Sequence, residues 1–330
     1  GDGVDDAAGN LIRACTLGDT PLGIFIASRE PNLVEANRSA GTGGVGIFLA
    51  SQTTSTVRNN DVFGRTIGLY SDSVLAEVYD NAIHLCAVGM SSRRGALGPD
   101  NPAPFGSPAR MAPNTIYDCG TGVLVPADAA GVVVRFTVIE SNDVGIQQWG
   151  DRTEILANEI RYNGTGICGT GAIGPAEWGA QMYNFVHDNG TGIWGLPGAE
   201  IRYNRVYANV TGIKLESDNL AHHNVIYENT QSGVLVDAAH NVEVVNNTIS
   251  ANASGDGIRL ENSVAGVLLH NNIVATYSGY ALYVAADCQF GYTSDYNNLY
   301  TGGNGKIAFQ SKDFTDLYDW QVEAESDLHS

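Results

Sequence analysis

Two cations and three carboxylates share one repeating phase of this sequence. Lys214 and Arg259 stand two residues, and Glu216, Asp237 and Glu261 four residues, after the glycines at 212, 233 and 257. If each glycine opens a strand, alternate residues share a face, and both columns lie on one outer surface. Stacked strands are about 4.8 Å apart, and carboxylates at that spacing repel unless cations intervene. Oxygen donors of this kind suit Ca2+, so Glu216, Asp237 and Glu261 are candidate metal ligands. Lys214 and Arg259 are the candidate catalytic residues. Either acts as a base only with a lowered pKa, which arginine rarely permits. The same five residues also describe a salt-bridge ladder on a solvated face, each pair contributing at most about 1 kcal/mol.

These residues need a scaffold that repeats. A glycine followed by an apolar residue recurs eleven times, from Gly23-Ile24 through Gly122-Val123 to Gly257-Ile258, with a unit of about 22 residues and two insertions. Asn-x-(Ile/Val) keeps the same phase at Asn60, Asn81, Asn114, Asn158, Asn184, Asn204, Asn224, Asn247 and Asn272. A second set follows five residues later, at Asn142, Asn163, Asn189, Asn209, Asn229 and Asn252. Inward asparagines at turns satisfy backbone groups that bending would strand, so two ladders imply two stacked corners per coil. Leucine-rich repeats share the period but need several leucines per unit, where these units use Ile, Val and Gly.

The insertions, residues 91–111 and 169–181, follow the same strand of the repeat. Loops along one edge of a solenoid wall a groove. Arg93 and Arg94 lie in the first insertion and Trp178 in the second, with Trp149 and Trp194 nearby in phase. Tryptophan faces suit sugar rings, so these five are candidate substrate-binding residues; the other reading is loop packing against the solenoid. Phe25, Phe48 and Tyr70, earlier in the column of Lys214, are expected to stack beneath the N-terminal segment. Cys86 and Cys119 take one column on consecutive coils, either as a disulfide or as two stacked thiols. His222 and His270 share a column two coils apart, roughly 10 Å, too far for one zinc. His223 reads as part of a surface ladder with Asn246 and Asn271.

Charge narrows the partners. The 330 residues carry 36 acidic and 17 basic side chains, a formal charge of −19, which argues against nucleic acid. It also disfavours direct capture of a polyanion, unless a divalent cation reverses the local field. No apolar run approaches the roughly 18 residues needed to cross a bilayer. The opening Gly1-Asp2-Gly3-Val4-Asp5-Asp6 reads as a linker or as a calcium-loop fragment without its later ligands. There is no basic start with an apolar stretch behind it, so any secretory signal is expected outside this sequence.

The Asn-x-(Ile/Val)-x-x-Asn-x-x-Gly-(Ile/Val) unit, from Leu22 to Leu299, resembles the repeat of right-handed parallel β-helix proteins, the pectate-lyase-like superfamily and its NosD-like relatives. The resemblance implies an all-β, single-stranded right-handed parallel β-helix of about 11–12 coils with an asparagine ladder. Residues 1–21 would then form an N-terminal segment, 22–310 the β-helix and 311–330 a C-terminal cap with Phe314, Leu317 and Trp320 at helical spacing. It also implies a secreted, cell-surface or periplasmic protein that binds polysaccharide and cleaves it as a calcium-assisted lyase. The alternatives are a non-catalytic adhesin or carbohydrate-binding protein and a periplasmic accessory factor of the NosD type. The paired-aspartate, Gly-His-Gly and Arg-Ile-Lys motifs of polygalacturonase-like hydrolases and the Asp-Pro-His motif of alginate epimerases are missing.

Overall fold

The structure, a computed structural model, describes residues 9–51, 53–99, 112–150, 152–176, 182–251 and 255–330. Each coil is built from three short strands, termed here back, side and front in chain order. One coil runs through Glu200–Arg202, Arg205–Tyr207 and Thr211–Leu215. The next runs through Leu220–His222, Val225–Tyr227 and Ser232–Asp237. Like strands pair in parallel and in register, Glu200 with Leu220, Arg205 with Val225 and Thr211 with Ser232. The expected parallel β-helix is therefore borne out.

The described residues fall into two compact units, one up to Ile160 with Met182, the other from Arg161 to Ala176 and from Tyr183 onward. The N-terminal unit has six front strands, from Leu22–Ile26 to Val144–Gln148. The C-terminal unit has seven, from Thr165–Gly169 to Lys306–Gln310. In each, Val, Ile and Leu fill the inner positions, because branched side chains suit a pleated, buried surface. Ile47, Leu69, Val123 and Ile146 in the first unit and Ile193, Ile213 and Val234 in the second are fully buried. Each such side chain stabilises the fold by roughly 1.5–3 kcal/mol. The repeated glycine has a steric cause. A Cβ at Gly212 would lie 2.4 Å from the Gly233 carbonyl oxygen and 2.8 Å from Asn229 Nδ2.

The corners carry the polar part of the design. A residue with positive φ turns the chain, and the next residue points inward as an asparagine: Tyr203 (φ 52°) precedes Asn204, His223 (55°) precedes Asn224 and Asn246 (56°) precedes Asn247. Asn224 Nδ2 donates to the carbonyls of Ile201 (2.9 Å) and His222 (3.0 Å) and to Asn247 Oδ1 (3.0 Å). Its Oδ1 accepts from the Asn204 backbone N–H (3.0 Å) and Nδ2 (3.2 Å). The second ladder does the same from Asn163 through Asn189 and Asn209 to Asn229, with amide-to-amide distances of 3.0–3.1 Å. Asn252 lies outside the described residues.

In the N-terminal unit the second ladder changes character. Arg65, Cys86 and Cys119 occupy positions where asparagine stands later, each just after a positive-φ residue. Both cysteines are buried free thiols, the stacked-thiol alternative rather than the disulfide. They donate to the carbonyls of His84 (3.3 Å) and Tyr117 (3.4 Å), two residues back, as Asn189 does to His187. The Arg65 guanidinium, 2% exposed, donates to the carbonyls of Gly18, Thr20 and Gly43 and to Ser39 Oγ. It closes this ladder over the first coils with uncharged acceptors.

Two boundaries differ from the sequence expectation or sharpen it. The first coil begins at Leu11 rather than at residue 22, since Leu11–Arg13 pairs with Leu33, Val34 and Glu35 and the Cys15 N–H donates to Asn37 Oδ1 at 3.0 Å. The glycine period marks front strands only, so the back and side strands that precede Gly23 were invisible to it. At the other end Leu317–Ala324 is the one helix among the described residues, N-capped by Asp316. Trp320 is fully buried against Phe314, ring centres 5.1 Å apart. Its Nε1 donates to Asp327, a buried carboxylate that also accepts from Ser294, Asn297 and Ser330 and so ends the first ladder.

Removing one rung strands several buried partners, at roughly 1–3 kcal/mol each. Asn224→Ala is expected to lower stability by about 3 kcal/mol or more, read as a shift of the urea midpoint, whereas the surface change Glu228→Ala leaves it nearly fixed. Thiol reactivity checks the cysteines. Cys15 is exposed and the other four are buried, so a native sample should label about one thiol quickly and a denatured, unreduced one all five. Three after denaturation would mean that Cys86 and Cys119 are bridged.

Candidate functional site

The outer face of the front sheet in the C-terminal unit carries one continuous column. Cys168, Trp194, Lys214, Leu235, Arg259, Tyr283 and Phe309 are successive register partners. Lys214 Nζ lies 2.9 Å from Asp237 Oδ2 and 5.2 Å from the centre of the Trp194 ring. Trp194 Nε1 donates to Glu216 Oε1 at 2.9 Å. Arg259 Nη1 reaches Asp256 Oδ2 and Nη2 reaches Glu261 Oε1, both at 2.6 Å. Its guanidinium carbon sits 3.8 Å above Tyr283, which stacks on Phe309 with centres 5.0 Å apart and planes 7° apart. Rings and cations thus stack in two groups, Trp194 with Lys214 and Arg259 with Tyr283 and Phe309, on either side of Leu235, and each cation–π contact adds about 0.5–2 kcal/mol.

The charges are fixed by their neighbours. Hydrogen bonds from Asn262 and then Lys214 hold the Asp237 carboxyl below the usual carboxylate range. Burial draws the Arg259 guanidinium down, but Glu261 and Asp256 outweigh it and hold the group above its ordinary value. Burial, with Glu216 adding, pushes the Cys168 thiol up to about 11, so it stays protonated and unreactive at neutral pH.

The structure brings the predicted residues Lys214, Glu216, Asp237, Arg259 and Glu261 together and alters their roles. Asp237 and Glu261 are register partners, yet each carboxylate has a donor of its own: Trp194 for Glu216, Lys214 and Asn262 for Asp237, Arg259 for Glu261. No three His, Cys, Asp or Glu side chains among the described residues are placed to hold a metal ion. A calcium ion here would have to displace those donors, so the carboxylates do not fit the expected Ca2+ site. Both cations are engaged as donors, Arg259 to Asp256 and Glu261 and Lys214 to Asp237. The salt-bridge ladder is the reading that the geometry carries.

Of the expected binding residues that are described, Trp194 alone stands in this column. Trp149 is 39% exposed in the N-terminal unit. In the same unit Arg93 pairs with Asp128 (3.0 Å) and Arg94 with Asp72 (3.7 Å), both at the surface. Trp178, residues 1–6, residues 100–111 of the first insertion and residues 177–181 of the second lie outside the described residues. Phe25, expected beneath the N-terminal segment, is 54% exposed, and Phe25, Phe48 and Tyr70 form a ring stack with centres 5.4 and 4.9 Å apart.

Asp256, Tyr283 and Phe309 were missed. Ala281 replaces the repeat glycine, so the column appeared to end at Arg259; an interval of 24 residues from Arg259 leads to Tyr283. Asp256 precedes its glycine and so lies outside the columns two and four residues after it. The histidine spacing holds, with Val245 between His222 and His270 in register.

The family described as right handed beta helix region matches residues 106–274. The family described as periplasmic copper-binding protein (NosD) matches residues 2–96. The described soft donors of that second stretch do not form a copper set: His84 Nε2 is taken by Asp61 at 3.0 Å with its ring between Phe63 and Tyr117, Cys86 and Met90 are buried, and Cys15 is exposed. No curated protein sequence matches the chain.

Among solved structures, the A-module of mannuronan C-5 epimerase AlgE6 from Azotobacter vinelandii is similar, with 13% identity, 86% of this chain and 88% of that chain covered, and a TM-score of 0.57. The Dettilon tailspike protein (gp208) is similar at 15% identity and a TM-score of 0.55, with 90% of this chain and 60% of that one covered. This chain therefore spans about three-fifths of the tailspike's length. At such identities the likeness is one of fold. No helix among the described residues is long and apolar enough to cross a membrane. Because the first family match covers more than half of the residues, the chain belongs to the right-handed β-helix family.

Proposed function

We propose that the front sheet of the C-terminal unit is a binding platform for an extended, hydroxyl-rich and uncharged polysaccharide lying along the coil axis. The observation that carries this reading is the column of Trp194, Lys214, Leu235, Arg259, Tyr283 and Phe309. It offers apolar ring edges at both ends, the faces of Tyr283 being covered by Arg259 and Phe309, and carboxylates beside them. Apolar ring surface packs against the C–H faces of sugars, and ionised carboxylates accept hydroxyl hydrogen bonds strongly. Local charge selects the polymer class. Lys214 and Arg259 face Asp256, Glu216, Asp237 and Glu261, a net negative patch on a chain of charge −19, which repels polyuronates. The mannuronan epimerase of like fold gives the architecture a precedent in polysaccharide chemistry. We place the protein outside the cytoplasm, at the cell surface, secreted or in the periplasm, the location named by the family that matches residues 2–96.

Lyase chemistry is the second reading, with Lys214 as the base once released from its ion pair with Asp237. It needs a group that accepts a proton beside a uronate carboxylate.

Calorimetry with neutral and uronate polysaccharides tests the platform. Neutral chains should bind, and Trp194→Ala or Tyr283→Ala should each weaken binding about tenfold, the size of one apolar ring contact. Tighter binding of polyuronates at low salt, or unchanged affinity in both variants, would overturn it. Ultraviolet absorbance of an unsaturated uronate product, lost in Lys214→Ala, would replace it with the lyase. Acid gives a further check. Because the Asp237 pKa is lowered, this carboxylate stays ionised through the ordinary range near 3.9. Its contribution to binding should persist from neutral pH to about 4 and fall only below that.

A further inference from the structure

His222 closes a back strand and His223 is the positive-φ corner residue that follows. Neighbours on a strand point to opposite faces, but the left-handed turn at His223 swings its ring back. His222 Nδ1 and His223 Nδ1 come to 2.8 Å, with the rings edge to face. The Tyr203 ring backs both imidazoles, 5.9 and 5.3 Å away. On the far side His222 Nε2 meets Glu200 Oε1 at 3.0 Å, and Arg202 in turn holds Glu200. A carboxylate on one imidazole nitrogen fixes the proton there and leaves the other nitrogen as a lone-pair donor, the outer support that metal-binding histidines have.

We propose that His222 and His223 chelate a divalent transition ion of tetragonal preference, Cu2+ or Ni2+, through their paired Nδ1 atoms, with Glu200 as a positioning residue. The donor separation selects the geometry. Two nitrogens 2.8 Å apart, each about 2.05 Å from a shared ion, subtend about 86°. That is the cis angle of square-planar and tetragonal ions, whereas a tetrahedral zinc would want about 3.3 Å between donors. His223 is exposed, so water completes the coordination. The ion takes the place of the proton now shared between the rings, and that proton moves to His223 Nε2 as the ring changes tautomer, so both imidazoles bind as neutral ligands and no net proton is released. The pair belongs to the C-terminal unit and rests on its own geometry, apart from the family match at residues 2–96.

Untagged full-length protein titrated with Cu2+ tests this by calorimetry and electron paramagnetic resonance. One ion should bind, with an axial spectrum split by two nitrogens. His223→Asn keeps a residue suited to the left-handed corner, as Asn246 and Asn271 show in the same column. It should retain the fold by circular dichroism, weaken binding at least tenfold and remove one nitrogen from the spectrum. Glu200→Gln should keep both nitrogens and weaken binding roughly 10- to 100-fold. Equal binding by wild type and His223→Asn, a spectrum without two nitrogens, or Zn2+ bound more tightly than Ni2+ would overturn the proposal.

Discussion

A chain that turns after every few residues strands backbone donors and acceptors at each bend, and the rest of this molecule depends on how they are satisfied. Isolated buried N–H and C=O groups cost far more than a made hydrogen bond returns. The inward amides of Asn204, Asn224, Asn247 and Asn272 answer that cost by bonding to their own coil, the preceding coil and one another. Because each amide spans two coils, it also fixes their register. A slip of one residue would break the ladder and turn the apolar positions outward.

Register converts sequence period into surface. With every coil locked over its neighbour, a side chain two residues past the glycine has one fixed companion above and one below. Lys214 and Arg259 fall where rings stand next to them, and the acidic residues fall one column over. A strand that brings a cation also brings its counter-charge, as Arg259 does with Asp256 and Glu261. Carboxylates that would have gathered an ion in a loop are instead divided among separate partners.

What could be read in the sequence was what stacking imposes on residue type. The glycine period reports a backbone approach no Cβ would survive, and the asparagine period reports the corners. Both are local marks, so the parallel coils and the two neighbouring columns, Lys214 with Arg259 and Asp237 with Glu261, were legible. What stayed hidden involved substitutions that solve the same problem with another residue. Cys15 fills a ladder position ahead of the first glycine, Ala281 stands for a glycine and conceals Tyr283, and Arg65 closes a ladder without an amide. The pairing of His222 with His223 was hidden for another reason. Strand alternation separates adjacent residues, and only the corner dihedral at His223 reverses that.

The residue just before each ladder asparagine needs one backbone dihedral and little else. Asn59, Asp80, Ala157, Tyr203, His223, Asn246, Asn271 and Tyr296 all serve there with φ between 52° and 58°, although non-glycine residues enter that region at some energetic cost. The fold thus prescribes a backbone shape at each vertex and leaves the chemistry of its side chain nearly unspecified. Those vertices form ridges on which polar, aromatic and imidazole groups can be exchanged without disturbing the interior, so new surface properties can arise there while the scaffold stays intact.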